Sequence, residues 1–265
     1  MDRFVLPSAS GLLLGLTFTP LGGPVLPFLA FAPLGTALGR RHGPGDGLVP
    51  GFIVAAVGHG VGLHWMIPAL SWRTPLAVPV WLLVLCLIGM VAALAVESAL
   101  RLHRRWRLPL PVGLGVTWVG LEWVAAHVPG VSYAWLNAGG SLAWWPWAAD
   151  WISLGGAPLL TAWTVGVGLM VGDAASTRRS RTLVLASAAA CLPVIAGTLT
   201  PKDRSLGTPR SVAAVQPGRP APGEGATLFA WQEAISRAWE GRSPDLVVFP
   251  ERFLAAAPDT GTSDH

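Results

Sequence analysis

The chain has 265 residues, of which 52% are hydrophobic and 12% charged, with a formal net charge of +4. Water-soluble domains carry roughly 25% charged residues, so this composition excludes a wholly soluble protein and places most of the chain in a bilayer. The basic residues stand in short clusters between apolar stretches, a topological signal rather than a nucleic-acid-binding face, and no nucleic-acid partner is expected.

The charge is unevenly spread. Residues 1–200 hold 11 basic and 6 acidic side chains, whereas residues 201–265 hold 7 and 8. This sets a boundary between a membrane domain (1–200) and the beginning of a water-soluble one (211–265), joined by a linker at 201–210.

Phe4 to Gly39 carries no charge. Ala30-Phe31-Ala32 mimics a signal-peptidase site, but the apolar stretch before it is long and broken, and Pro33 follows at once, so it reads as membrane domain rather than a removed leader. Pro20, Gly22, Gly23 and Pro24 divide it into Val5–Thr19 and Val25–Gly39. Each is short for the roughly 30 Å hydrocarbon core, and a single re-entrant hairpin is the alternative. Further spans are expected at Leu48–Ile67, Leu76–Leu100, Val112–Val128, Leu154–Val171 and Leu183–Leu199, about seven in all.

Arg40 and Arg41, then Arg101, Arg104, Arg105 and Arg107, then Arg178, Arg179 and Arg181 fall on one side of these spans, against Arg73 alone in the short loops of the other. The positive-inside rule makes the clusters cytoplasmic and everything after residue 200 extracytoplasmic.

The outer segment between Pro129 and Trp151 is rich in Trp135, Trp144, Trp145, Trp147 and Trp151. Indole favours the headgroup level. The segment is either an aromatic belt or a lipid-facing platform beside a site on the outer surface. Glu122, inside the fifth span, is an intramembrane carboxylate and hence a functional candidate; the alternative is a hydrogen-bonded group between helices. Glu97 is expected to pair locally with Arg101, four residues on. His59 and His64 are five apart and do not share a helix face as an i, i+4 metal pair would, so both read as packed polar residues. Cys86 and Cys191 lie in apolar spans as buried small hydrophobes, and no metal-ligand spacing is present. Gly11-x-x-x-Gly15 and the Gly58, Gly60, Gly62 series predict close helix contact.

Beyond the linker, Ser211–Val215 reads as a strand and Ala226–Glu240 as an amphipathic helix. Asp245-Leu246-Val247-Val248-Phe249-Pro250-Glu251 is a short buried strand stopped by proline, which has no N–H for the ladder. Strand, helix, strand implies a parallel unit. Two strands and one helix cannot cover both faces of a parallel sheet, so the soluble domain is expected to be incomplete.

The tryptophan-rich outer segment, Leu121-Glu122-Trp123, Val215-Gln216 and Phe249-Pro250-Glu251 together resemble the apolipoprotein N-acyltransferases. That resemblance implies a polytopic α-helical membrane domain followed by the start of an α/β (nitrilase-like α-β-β-α, carbon–nitrogen hydrolase) domain in the bacterial plasma or inner membrane. It implies transfer of an acyl chain from a phospholipid donor, through a cysteine thioester, to the N-terminal amine of a lipoprotein cysteine, with no cofactor and no metal. Splitting one ester-to-amide exchange into two steps through a nucleophile is sound chemistry. Of the family's glutamate, lysine and cysteine, only the glutamate carries over, to Glu251 as general base. Residues 252–265 hold neither lysine nor cysteine, Lys202 matches no motif, and Arg252 stands where the family usually has threonine. The expectation is therefore a truncated chain, inactive alone. The alternative is a non-catalytic relative, such as a conjugal-transfer or envelope-assembly component.

Overall fold

A computed structural model describes residues 2–39, 43–72, 74–127, 137–142, 145–178, 180–199, 211–214 and 245–248. The chain divides into two compact units, Met1–Pro201 and Lys202–His265. The described part is mostly helical.

The first unit holds α1 (Asp2–Leu16), α2 (Leu26–Ala30), α3 (Ala32–Leu38), α4 (Leu48–Gly62), α5 (Met66–Ser71), α6 (Ala77–Trp106), α7 (Leu110–His127), a 3-10 helix at Ala138–Leu142, α8 (Pro146–Thr177) and α9 (Ser180–Leu199). The stretch expected as one span over Val25–Gly39 is broken at Phe31 between α2 and α3. Pro33 is the cause: it has no N–H for the Leu29 carbonyl four residues back, so the ladder cannot run through. The stretch Leu48–Ile67 likewise stops at Gly62, where glycines lower helix propensity, and α5 starts afresh at Met66.

Among the described residues, two segments, Ala77–Trp106 and Leu154–Thr177, are long and apolar enough to cross a bilayer. The packing of α6 supports that reading. Leu85, Gly89, Ala92 and Val96 are buried, while Leu83, Leu87, Met90 and Leu94 are exposed. Both sets follow helical 3–4 spacing; the buried set includes Gly89 and Ala92, whereas the exposed set is all large. A water-soluble helix arranges these in the opposite sense; small residues at helix contacts with large ones facing outward suit hydrocarbon surroundings.

Small residues also set the distance between the first helices. A Cβ on Gly11 would stand 2.7 Å from the Val54 carbonyl oxygen, and one on Gly15 would stand 2.5 Å from Val61 Cβ, so α1 lies directly on α4. Gly51 and Gly47 do the same for α4 and the turn before it against α6. The core between these layers and α7–α8 is filled by Phe31, Leu34, Leu114 and Trp118, with Phe31 and Trp118 edge to face at 5.0 Å.

At the arginine-bearing ends, Glu97 is buried and ties α6 to the turn before α4. It accepts from Arg101 Nε at 3.2 Å, Arg104 Nη2 at 2.9 Å and the Gly47 N–H at 3.1 Å. Arg104 also donates to the Gly43 carbonyl at 3.0 Å. The expected pair with Arg101 is present, but Arg104 and Gly47 make it a junction between helices. His59 is buried with Nδ1 2.9 Å from the Ala55 carbonyl, a packed helix-borne histidine.

In the second unit, β1 (Val212–Ala214) and β2 (Leu246–Val248) pair in parallel, Val212 opposite Leu246 and Ala214 opposite Val248. Asp245 fixes this register: its carboxylate accepts the Ser211 N–H at 2.7 Å while its own N–H donates to the Ser211 carbonyl at 2.9 Å. The helix expected over 226–240, the linker 201–210 and Glu251 lie outside the described residues.

Candidate functional site

The sequence marks Glu122 as the carboxylate inside an apolar helix, and the structure gives it two groups of partners. α7 runs away from the arginine-bearing end, and Glu122 lies in its last turns. One oxygen, Oε1, accepts the Ala138 N–H at 2.8 Å. The other, Oε2, accepts the Thr161 hydroxyl at 2.7 Å. Thr161 Oγ1 in turn accepts the Gly139 N–H at 2.9 Å. The indole of Trp118, one turn back on α7, adds a further donor.

This arrangement answers a local problem. The first N–H groups of any helix have no partner within it. Here the donors at the start of Ala138–Leu142 are accepted by Glu122 from α7 and by Thr161 from α8, so three segments meet at one carboxylate. Asn137 adds a local cap through its side-chain oxygen to the Gly140 N–H, as asparagine commonly does.

Position 139 must be glycine for the clasp to close. A Cβ there would stand 2.6 Å from both the Ala157 carbonyl oxygen and the Thr161 nitrogen. The groove it enters comes from a break in α8: Gly156 adopts φ 66° and ψ −170° inside the helix, and Pro158 follows. A positive φ of this kind is open to glycine and strained for other residues. Leu142 and Leu160 then close the junction from below, with Phe28, Trp145 and Trp163 packed around them.

Where the tryptophan-rich segment is described, it is largely helical, at Ala138–Leu142 and from Pro146 onward. Trp145 is half-buried against Leu142 and Leu160. Trp147 and Trp151 lie on the first turns of α8, with Pro146 at a helix start that tolerates its missing N–H. The side chains of Trp147 and Trp151, and all of Trp135 and Trp144, lie outside the described residues, as does Glu251. The structure therefore brings Glu122 and Trp145 to one neighbourhood through the short helix that links them. Thr161 went unnoticed in the sequence. Its signal was a hydroxyl-bearing residue amid Leu159, Leu160 and Ala162 in an apolar helix.

Chemically, both oxygens of Glu122 are engaged as acceptors. The group holds a backbone turn in place by accepting from two segments at once. Among the described residues, no three His, Cys, Asp or Glu side chains converge to hold a metal ion. Cys86 and Cys191 are not buried as expected: both are exposed, on α6 and α9.

Residues 10–170 match the family model described as the apolipoprotein N-acyltransferase N-terminal domain. The match takes in Glu122, the 3-10 helix and Thr161. A relative from Gloeobacter violaceus named apolipoprotein N-acyltransferase is 32% identical over 182 residues, which cover 64% of this chain and 34% of the relative. The chain thus spans about a third of the length of the curated relative it matches.

Proposed function

From the premise that this chain belongs to the apolipoprotein N-acyltransferase N-terminal domain family, we propose that it is the membrane portion of an acyltransferase together with the first strands of its catalytic domain. The donor is a membrane phospholipid and the acceptor is the N-terminal amine of a lipoprotein cysteine. The observation that carries this reading is the family match over residues 10–170; the inverted packing of α6, large residues outward, agrees with it.

In this reading the helical unit crosses the bacterial plasma membrane several times, with the arginine clusters cytoplasmic. Residues after 200 are extracytoplasmic and begin a nitrilase-like α/β domain, for which the parallel pairing of β1 and β2 is the support. Glu251, three residues past β2, is the general base. The thiolate and the oxyanion-stabilising lysine of such a reaction are not Cys86, Cys191 or Lys202, which lie before β2 on the helices or in the linker. Trp135, Trp144, Trp147 and Trp151 meet the outer leaflet from which the donor comes, and Glu122 is a positioning residue for that segment.

The test is a transfer assay on the complete gene product in membranes, following a labelled acyl chain from phospholipid to a diacylglyceryl-cysteine peptide. The expected result is transfer by the wild type and its loss, by at least a hundredfold, in Glu251→Gln, the lower range for removing general-base catalysis. No transfer by the wild type, or undiminished transfer by the variant, overturns the proposal.

A further inference from the structure

Pro33, Pro158 and Pro193 all fall in apolar helical stretches of the first unit, and the backbone answers each differently. A proline has no N–H, so the carbonyl four residues before it loses its helical partner. At Pro33 the ladder stops, and the Leu29 carbonyl accepts the Phe31 N–H instead. At Pro158 the helix kinks through Gly156. At Pro193 it does neither: α9 runs on from Ser180 to Leu199.

The carbonyl that Pro193 deprives of its usual donor is that of Ala189. It accepts the indole N–H of Trp163, on α8, at 2.7 Å. The missing donor is thus supplied by the neighbouring helix. In hydrocarbon a freed carbonyl has no water to turn to, and membrane helices keep a proline where a neighbour satisfies the group it frees. Indole suits that task, with one N–H to give, no acceptor of its own to satisfy, and a large apolar ring.

The ring itself is engaged elsewhere. Trp163 stands edge to face with Phe28 at 4.7 Å and packs against the pair Leu142 and Leu160. Leu142 ends the 3-10 helix whose first N–H groups are held by Glu122 and Thr161. One side chain therefore meets both the segment that adjoins the tryptophans and the backbone of α9, the last described helix of the first unit.

We propose that Trp163 is a positioning residue: its indole N–H stands in for the amide that Pro193 lacks, and so ties α9 at its proline to the 138–142 segment. The bond does not depend on the family reading; its bearing on acyl transfer rests on that reading.

The test is a double-mutant cycle. Trp163→Phe keeps an aromatic ring beside Phe28 and removes the N–H, whereas Pro193→Ala returns an amide donor to the Ala189 carbonyl. All four forms of the full chain are unfolded in detergent. Trp163→Phe is expected to lower the folding equilibrium constant about tenfold more with Pro193 in place than in the Pro193→Ala background. The cost of the smaller ring falls on both backgrounds alike and drops out. Equal losses in the two overturn the proposal.

A second measurement needs only Pro193→Ala. With isotope-labelled tryptophan, NMR is expected to show one indole N–H exchanging severalfold faster than in the wild type, because its acceptor is now shared. Unchanged exchange at every indole also overturns the proposal. In the complete gene product, Trp163→Phe is expected to lower kcat for acyl transfer severalfold at unchanged KM, and to add no further loss to Pro193→Ala. An undiminished kcat beside the expected unfolding cycle overturns the positioning role. A wild type without transfer sinks the functional reading instead and leaves the unfolding cycle to decide the bond, so the two failures are distinguishable.

Discussion

Thr161 on α8 donates its hydroxyl hydrogen to Glu122 on α7 at 2.7 Å while accepting the Gly139 N–H at 2.9 Å. One hydroxyl thus relays between a helix-borne carboxylate and the backbone of the segment that leads into the tryptophans. Replacing it with valine keeps the shape and removes both bonds. Thr161→Val is expected to destabilise the protein by about 1–3 kcal/mol, the usual cost of leaving buried polar groups unmatched. Thr161→Ser is expected to retain most of the stability. Thermal unfolding in detergent measures both, and exchange of the Gly139 amide hydrogen should quicken about tenfold for each 1.4 kcal/mol lost locally. Equal stability of the valine and serine variants would show that the relay carries no weight.

Gly139→Ala tests the close approach itself. The added methyl meets backbone atoms of Ala157 and Thr161 at 2.6 Å, and backbone yields less readily than a side chain. A loss of about 1–3 kcal/mol is expected, as for other overpacked sites. Gly120→Ala on α7 is the control, since nothing lies within 4 Å of its added Cβ. It should leave stability unchanged or raise it by up to about 1 kcal/mol through helix propensity. The pair of unfolding curves decides whether position 139 is constrained by space.

Glu97 sits at the other end of the bundle with the same kind of task, holding a turn by its N–H. Its side chain is 2% exposed, against 26% for Arg104 and 72% for Arg101. Glu97→Ala leaves the Gly47 N–H without its acceptor and Arg104 with only the Gly43 carbonyl, and a loss of about 1–3 kcal/mol is expected. Arg101→Ala should cost under about 1 kcal/mol, as exposed partners do. Added salt should narrow the small gap in melting temperature between Arg101→Ala and wild type, because it screens the exposed contact the variant lacks and acts weakly on the buried one both keep. A larger effect from Arg101 than from Glu97 would contradict the burial described above.

Much of the architecture is legible in the chain because apolar runs and their interruptions act locally. The runs over Leu76–Leu100 and Leu183–Leu199 locate α6 and α9, and Gly11 and Gly15 announce the contact that α1 makes with α4. Proline and glycine effects at Phe31 and Gly62 were present in the sequence too, but length alone could not say that Pro33 would split a span while Pro158 and Gly156 would only kink one. The difference lies in what packs against the freed backbone, and the 3-10 helix at Ala138–Leu142 fills the break in α8.

For Glu122, the sequence by itself determined that a carboxylate stands in an apolar helix and must find donors there, since an unpaired charge in such surroundings is prohibitive. It left open which segments would supply those donors. Only the tertiary structure decided that, because the donors are 16 and 39 residues away, at Ala138 and Thr161. A hydrogen bond between distant segments depends on how helices cross, and crossing depends on the summed fit of many side chains rather than on any local pattern.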